Sequence, residues 1–96
     1  MSQALTITTS APVELRPLIH SAIQRELGTL EIGIKRTLAQ IHIHESVHKM
    51  SSSEFEMRFN GTDLVETPEF TDWWMELLAL KRLRAQRQTL SEATVD

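Results

Sequence analysis

The feature that most constrains this chain is an apolar stripe with helical spacing. Apolar residues recur in steps of three and four from Leu15 to Ile41, which is the pattern of a helix that buries one face. Continued to about residue 49, one such helix would be on the order of 50 Å long. A compact monomer of this size has a radius of gyration of only about 13 Å. We therefore expect a long helix that a single chain covers only in part.

Prolines and glycines qualify the shape of this helix. Pro12 and Pro17 restrict its start, and because proline fits best in a first turn, the regular helix is expected to begin near residue 16. Gly28 and Gly33 each cost about 1 kcal/mol relative to alanine inside a helix. They mark either a break or a close helix crossing, and we favour one long or kinked helix.

Capping signals predict two further helices. Ser51 followed by Glu54 is a capping box that opens a short helix, and Asn60-Gly61 ends it because both residues tolerate left-handed backbone geometry. The pair Thr67-Pro68 supplies an N-cap and a first-turn proline for a last helix that runs to about Leu90. The predicted fold is therefore all-α, with a long N-terminal helix, a short connecting helix and a returning C-terminal helix.

The domain organisation follows from these elements. Residues 12–90 are predicted to form a single helical domain, and residues 91–96 a frayed tail. Residues 1–11 are expected to be a flexible arm or a short strand, because Leu5 and Ile7 alternate with threonines. A short strand needs a partner, so we expect it to pair with another copy of the chain.

The length of the stripe predicts self-association. A two-helix hairpin buries too little apolar surface to be stable alone, and pairing two hairpins into a helical bundle or coiled coil supplies the missing core. We therefore predict a homodimer or a higher oligomer. The predicted dimer seam consists of Ile23, Leu27, Leu30, Ile34, Leu38, Ile41, His44 and His48.

Composition and the lengths of apolar runs narrow the class of protein to which this chain can belong. The net charge is −3, which is not the basic footprint of a dedicated nucleic-acid binder. The absence of cysteine excludes disulfides and thiolate metal sites. No apolar run reaches the length of about 20 residues that a bilayer requires, and the N-terminus does not resemble a secretory signal. We expect a cytoplasmic protein with no membrane partner.

One motif points to catalysis. His44, Glu45 and His48 spell H-E-x-x-H, which on a helix brings two imidazoles to one Zn²⁺ with the Glu as general base. Against this, no histidine follows His48 as a third ligand, and Glu66 and Glu69 are acids expected at a helix start. Both histidines also continue the apolar stripe. We interpret them as packing residues, predicting no catalytic residue, metal or cofactor, and keep a zinc-dependent hydrolase as an alternative.

Aromatic residues are the predicted partner anchors. Trp73 and Trp74 lie about 100° apart around a helix, so one is expected inside and the other at a contact. The full set of predicted partner-binding residues is Phe55, Phe59, Phe70, Trp73, Trp74 and Leu77. The basic run from Lys81 to Arg87, together with the N-terminal arm, leaves a DNA-binding dimeric regulator as a further alternative that we do not favour.

Residues 35–90 also carry a family pattern. A long helix is followed by Met-Ser-x-x-Glu-Phe, a Phe one turn later, a Gly, an acidic stretch and a final EF-x-x-W helix. The matching residues are Met50, Ser51, Glu54, Phe55, Phe59, Gly61, Glu69, Phe70 and Trp73. This pattern resembles small prokaryotic proteins, frequent in cyanobacteria and archaea, that are the antitoxin-like member of toxin–antitoxin pairs. The resemblance covers a little over half of the chain. It implies a cognate protein partner such as a toxin, and hence a non-enzymatic interaction module that masks its partner.

Overall fold

The computed structural model describes residues 4–5, 10, 12–61 and 63–95, and it confirms the predicted all-α architecture. Helix α1 spans Pro12–His48, α2 spans Ser52–Asn60 and α3 spans Pro68–Glu92. A two-residue strand at each end, β1 (Ala4–Leu5) and β2 (Thr94–Val95), forms a short parallel pair.

Helix α1 is continuous over its 37 residues. Neither Gly28 nor Gly33 has a positive φ, so neither breaks the helix. A Cβ at Gly33 would lie 3.5 Å from the side chain of Leu83 in α3, whereas a Cβ at Gly28 would meet nothing within 4 Å. Gly33 therefore marks a helix crossing that still has room for a methyl group. Neither glycine marks a break, and the favoured prediction of one long helix is confirmed.

The predicted start of α1 near residue 16 is wrong, because the helix begins at Pro12. Pro17 lies inside the helix, where it removes the N–H that would bond to the carbonyl of Val13. Val13 is 83% exposed, so water can satisfy that carbonyl. The proline therefore costs one hydrogen bond at the exposed end of the helix without ending it.

The capping side chains set the starts of the other two helices. Ser51 Oγ accepts from the backbone N–H of Glu54 at 3.1 Å, and Thr67 Oγ1 accepts from that of Phe70 at 3.1 Å. The Glu54 carboxylate lies 3.9 Å from Arg58, a position that suits an i, i+4 pair rather than the second half of a capping box. Gly61 follows the last residue of α2 as its C-cap.

The core lies where α2 and α3 pack on one side of α1. Phe55 and Trp73 are fully buried at its centre, with their rings stacked at 4.0 Å. Helix α3 returns along α1, so that Phe70 contacts His48 near one end and Arg87 bonds to Glu31 towards the other. The buried apolar residues are Leu30, Ile34, Ile41, Phe55, Trp73, Leu77 and Leu80.

The described part of the molecule is a rod of 58 × 22 × 18 Å with a Cα radius of gyration of 18.7 Å. This is far above the value of about 13 Å for a compact chain of this length. The first turns of α1 project beyond α3, and Leu18 there is 66% exposed. Residues near the start of α1 are therefore exposed, whereas Leu30, Ile34 and Ile41 further along the helix are buried by the same chain.

The two ends of the chain differ from expectation in two respects. Ala4–Leu5 pairs with Thr94–Val95 of the same chain, so the prediction that an N-terminal strand pairs with another copy is wrong. Helix α3 continues to Glu92, two residues beyond the predicted end at Leu90. Most of the predicted arm, including Ile7, lies outside the described residues.

Candidate functional site

The H-E-x-x-H segment occupies the last turns of α1, where it packs against aromatic side chains of α3. The His44 ring lies 5.7 Å from the ring of Trp73 and within 7° of parallel to it. The His48 ring lies 5.6 Å from the same indole and 4.9 Å from the ring of Phe70. Both imidazoles are half-buried. Their faces are therefore engaged in packing between α1 and α3.

Glu45, the general base of the hydrolase alternative, holds the start of α2. Its Oε2 accepts from the backbone N–H of Ser52 at 3.0 Å and from the Ser52 hydroxyl at 2.8 Å. The same hydroxyl oxygen accepts from Trp73 Nε1 at 3.2 Å. One carboxylate and one hydroxyl thus link all three helices. This role is structural, since the carboxylate satisfies an N–H at a helix N-terminus, where negative charge is favourable.

The hydrolase alternative also requires a third ligand. Over residues 12–61 and 63–95, no three His, Asp or Glu side chains come together in a way that could hold a metal ion. Glu66 and Glu69, the acids that follow in the chain, are both exposed. The rings of His44 and His48 in this segment pack against Trp73.

The predicted dimer seam lies in the core of a single chain. Leu30, Ile34 and Ile41 are buried, and Leu38 packs against the same cluster. The other predicted seam residues, Ile23, Leu27, His44 and His48, are half-buried. Helices α2 and α3 of the same chain pack on this apolar stripe. The buried part of the stripe therefore needs no second copy to cover it. The buried members of this set, Leu30, Ile34 and Ile41, are therefore core residues of a single chain.

The predicted partner anchors divide into two groups. Phe55, Trp73 and Leu77 are buried, with exposed fractions of 0, 0 and 8%, and they cannot contact a partner while the fold is intact. Their assignment as partner anchors is therefore corrected to core residues. Phe59, Phe70 and Trp74 are half-buried. Of the adjacent tryptophans, Trp73 is the one inside.

Two of the four cations in the basic run predicted for DNA contact, Lys81 and Arg87, pair with acids of the same chain, while Arg82 and Arg84 are exposed. Lys81 lies 3.3 Å from the Glu56 carboxylate, and Arg87 donates to Glu31 at 2.8 Å. Ion pairs of this kind lower the positive potential that would attract phosphates. The N-terminal arm, the other half of that alternative, lies mostly outside the described residues.

Helix α1 carries a second apolar stripe that the sequence analysis missed. Ile32, Ile43 and Val47 are 61, 53 and 68% exposed. Ile43 lies about three turns after Ile32, and Val47 lies about one turn after Ile43. All three side chains are therefore on one side of the helix. That side is opposite the buried Ile34 and Ile41. The same helical spacing marks these three residues, but the longer core stripe is by itself enough to predict the helix.

Cations are interspersed along this stripe. Arg25, Lys35 and Arg36 are exposed, and their positions place them on the same side of α1. None of the three forms an ion pair within the part of the chain that the structure describes. We call this surface the outer face of α1. It consists of Arg25, Ile32, Lys35, Arg36, Ile43 and Val47.

Comparisons with known protein families, with curated proteins and with solved structures found no match. None of the helices in the described ranges is both long and apolar enough to cross a bilayer. The geometry of the chain itself is therefore the basis for a functional proposal.

Proposed function

We propose that this protein is a non-enzymatic interaction module that binds and masks a partner protein through the outer face of α1. The observation that carries the proposal is the exposure of Ile32, Ile43 and Val47 on the side of α1 that faces away from the core. Aliphatic side chains that line one exposed side of a helix are the kind of anchor by which a helix binds in a partner's groove.

The fold suits such a role because α1 is a rigid platform. Helix α3 packs along its inner side, from His48 to Glu31, so that α1 is ordered within a single chain. A surface that is already ordered loses little conformational entropy on binding. A long helix of this kind can lie in an apolar groove or against another helix. It would then occlude the partner's surface along its whole length.

The same reasoning ranks the two alternatives lower. A zinc-dependent hydrolase would need Glu45 as a base, but this carboxylate accepts two hydrogen bonds from Ser52. A DNA-binding regulator would need the cations of α3, but two of the four in its basic run, Lys81 and Arg87, face acids of the same chain. The resemblance to antitoxin-like proteins supports a cognate protein partner, and in such pairs the partner is encoded by the adjacent gene.

The experiment is to co-purify the protein with the product of its neighbouring gene and to measure their affinity. The test variant is Ile43→Ser, and the matched control is Met75→Ser, since Ile43 and Met75 are 53 and 56% exposed on different helices. Both changes are neutral in charge. We expect Ile43→Ser to weaken binding by about tenfold, as loss of one interface anchor does, while Met75→Ser binds as the parent does.

Circular dichroism of both variants establishes that they fold. If the neighbouring protein does not bind the parent chain, the proposed function is rejected. If it binds and Ile43→Ser has no effect, the outer face of α1 is the wrong surface.

A further inference from the structure

We infer that the segment that docks on the outer face of α1 is an amphipathic helix whose apolar side chains are flanked by aspartates and glutamates. The inference rests on the proposed function and names the chemistry of the partner at the same surface. It is carried by the way in which charges are distributed around α1.

The carboxylates of α1 between residues 15 and 48 are directed to the inner side. Glu26 lines a groove together with Arg82 of α3. Glu31 accepts from Arg87 at 2.8 Å, and Glu45 accepts from Ser52 of α2. Each of these acids therefore faces another element of the same chain, and the outer face is left without a carboxylate.

The cations of the outer face are arranged in the opposite way. Arg25, Lys35 and Arg36 are exposed, and within the described ranges none of them pairs with an acid. They lie on the same side of α1 as Ile32, Ile43 and Val47. The whole chain has a net charge of −3. The cations on the outer face are therefore not explained by an overall excess of basic residues, and they show that acidic and basic side chains of α1 lie on different sides of the helix.

Such a surface selects its partner by charge. Apolar contacts would be made with the aliphatic stripe, while carboxylates at the edges of a partner helix would meet Arg25, Lys35 and Arg36. A second copy of the chain is the less favourable occupant, because two outer faces would place cations against cations. The stripe from Arg25 to Val47 corresponds to about 33 Å of helix, which fits a partner helix of about 20 residues.

The test uses a synthetic amphipathic peptide of about 20 residues, with leucines at steps of three and four and glutamates on both flanks. A second peptide has lysine at every glutamate position. Fluorescence anisotropy is expected to show that the full-length protein binds the glutamate peptide at least about tenfold more tightly than the lysine peptide. The preference is expected to decrease at high salt, since exposed charges are screened.

Charge reversal supplies the matched variants. The double variant Lys35→Glu and Arg36→Glu is expected to reverse the preference between the two peptides. Its control reverses Arg16 and Arg84, which are exposed cations outside the outer face, and is expected to retain the parent's preference. Circular dichroism checks that both variants fold.

Three outcomes overturn the inference. They are equal binding of the two peptides by the parent protein, an unchanged preference after reversal of Lys35 and Arg36, and binding to vesicles of anionic phospholipid without binding to either peptide. If the neighbouring protein binds through Ile43 but the glutamate peptide is not preferred, the proposed function stands and the acidic partner is wrong. If the glutamate peptide is preferred but the neighbouring protein does not bind, the surface chemistry stands and that protein is not the partner.

Discussion

At the scale of single residues, Glu45 has a structural role that the H-E-x-x-H motif does not suggest. Its carboxylate accepts from both the backbone and the hydroxyl of Ser52, so Glu45→Ala leaves a partly buried N–H without its acceptor. We expect this change to lower the free energy of unfolding by about 1–3 kcal/mol, and Glu45→Gln, which keeps an acceptor oxygen, to lower it less. Urea denaturation measures both. Glu26→Ala, an exposed acid of the same helix, serves as the control with little expected effect.

The adjacent tryptophans give a second prediction at this scale. Trp73 is fully buried and stacks on Phe55 at 4.0 Å, whereas Trp74 is half-buried beside Phe59. Trp73→Ala is expected to cost about 3–5 kcal/mol, a large part of the roughly 5–15 kcal/mol that stabilises a typical domain. Trp74→Ala is expected to cost clearly less. Equal losses in chemical denaturation would contradict the assignment of Trp73 to the core.

The histidines show how far sequence reasoning reached at this scale. Helical spacing alone predicted that His44 and His48 continue the apolar stripe, and their rings do pack against Trp73. The hydrogen bonds from Ser52 to Glu45 and from Trp73 to Ser52 were not predictable. They depend on how α2 and α3 turn back onto α1, and a residue pattern confined to one helix carries no information about that turn.

At the scale of helices, the glycines of α1 allow a prediction about stability. Both lie in a continuous helix without positive φ, so neither uses the conformational freedom that glycine provides. A methyl group at Gly28 meets open space, and one at Gly33 makes ordinary contact with Leu83. Gly28→Ala and Gly33→Ala are each expected to raise the free energy of unfolding by about 0.5–1 kcal/mol. A loss of stability at Gly33 in thermal or urea denaturation would show that the crossing with α3 is tighter.

Local signals predicted the starts of α2 and α3 because a cap bonds to a backbone N–H only a few residues away. Ser51 and Thr67 both do this. The start of α1 was predicted wrongly because the sequence does not show how much Pro17 costs. That cost depends on whether water can reach the carbonyl of Val13, which has no N–H donor from Pro17. The outer face was missed because a single periodic stripe already explained the helix. A second stripe on the opposite side indicates a binding surface only when the first stripe is known to be buried within the same chain.

At the scale of the whole molecule, burial of the α1 stripe within one chain bears on the oligomeric state that we expect. We predicted a dimer because the apolar ridge of α1 was too long for one chain to cover. Leu30, Ile34 and Ile41 are nevertheless buried within a single chain, and the exposed stripe on the other side carries Lys35 and Arg36 as like charges. The ridge no longer requires a second copy, and the outer face disfavours one. We therefore expect the isolated protein to be a monomer.

Solution mass and shape test this expectation together. Sedimentation equilibrium at micromolar concentration is expected to give the mass of one chain, 11.0 kDa, and small-angle scattering a radius of gyration at or a little above 18.7 Å. A compact monomer would give about 13 Å and would contradict the rod. A mass twice that of the chain at low salt would show that copies associate in spite of the cations. Repeating the measurement with Ile43→Ser would then locate the contact, because only association through the outer face is weakened by that change.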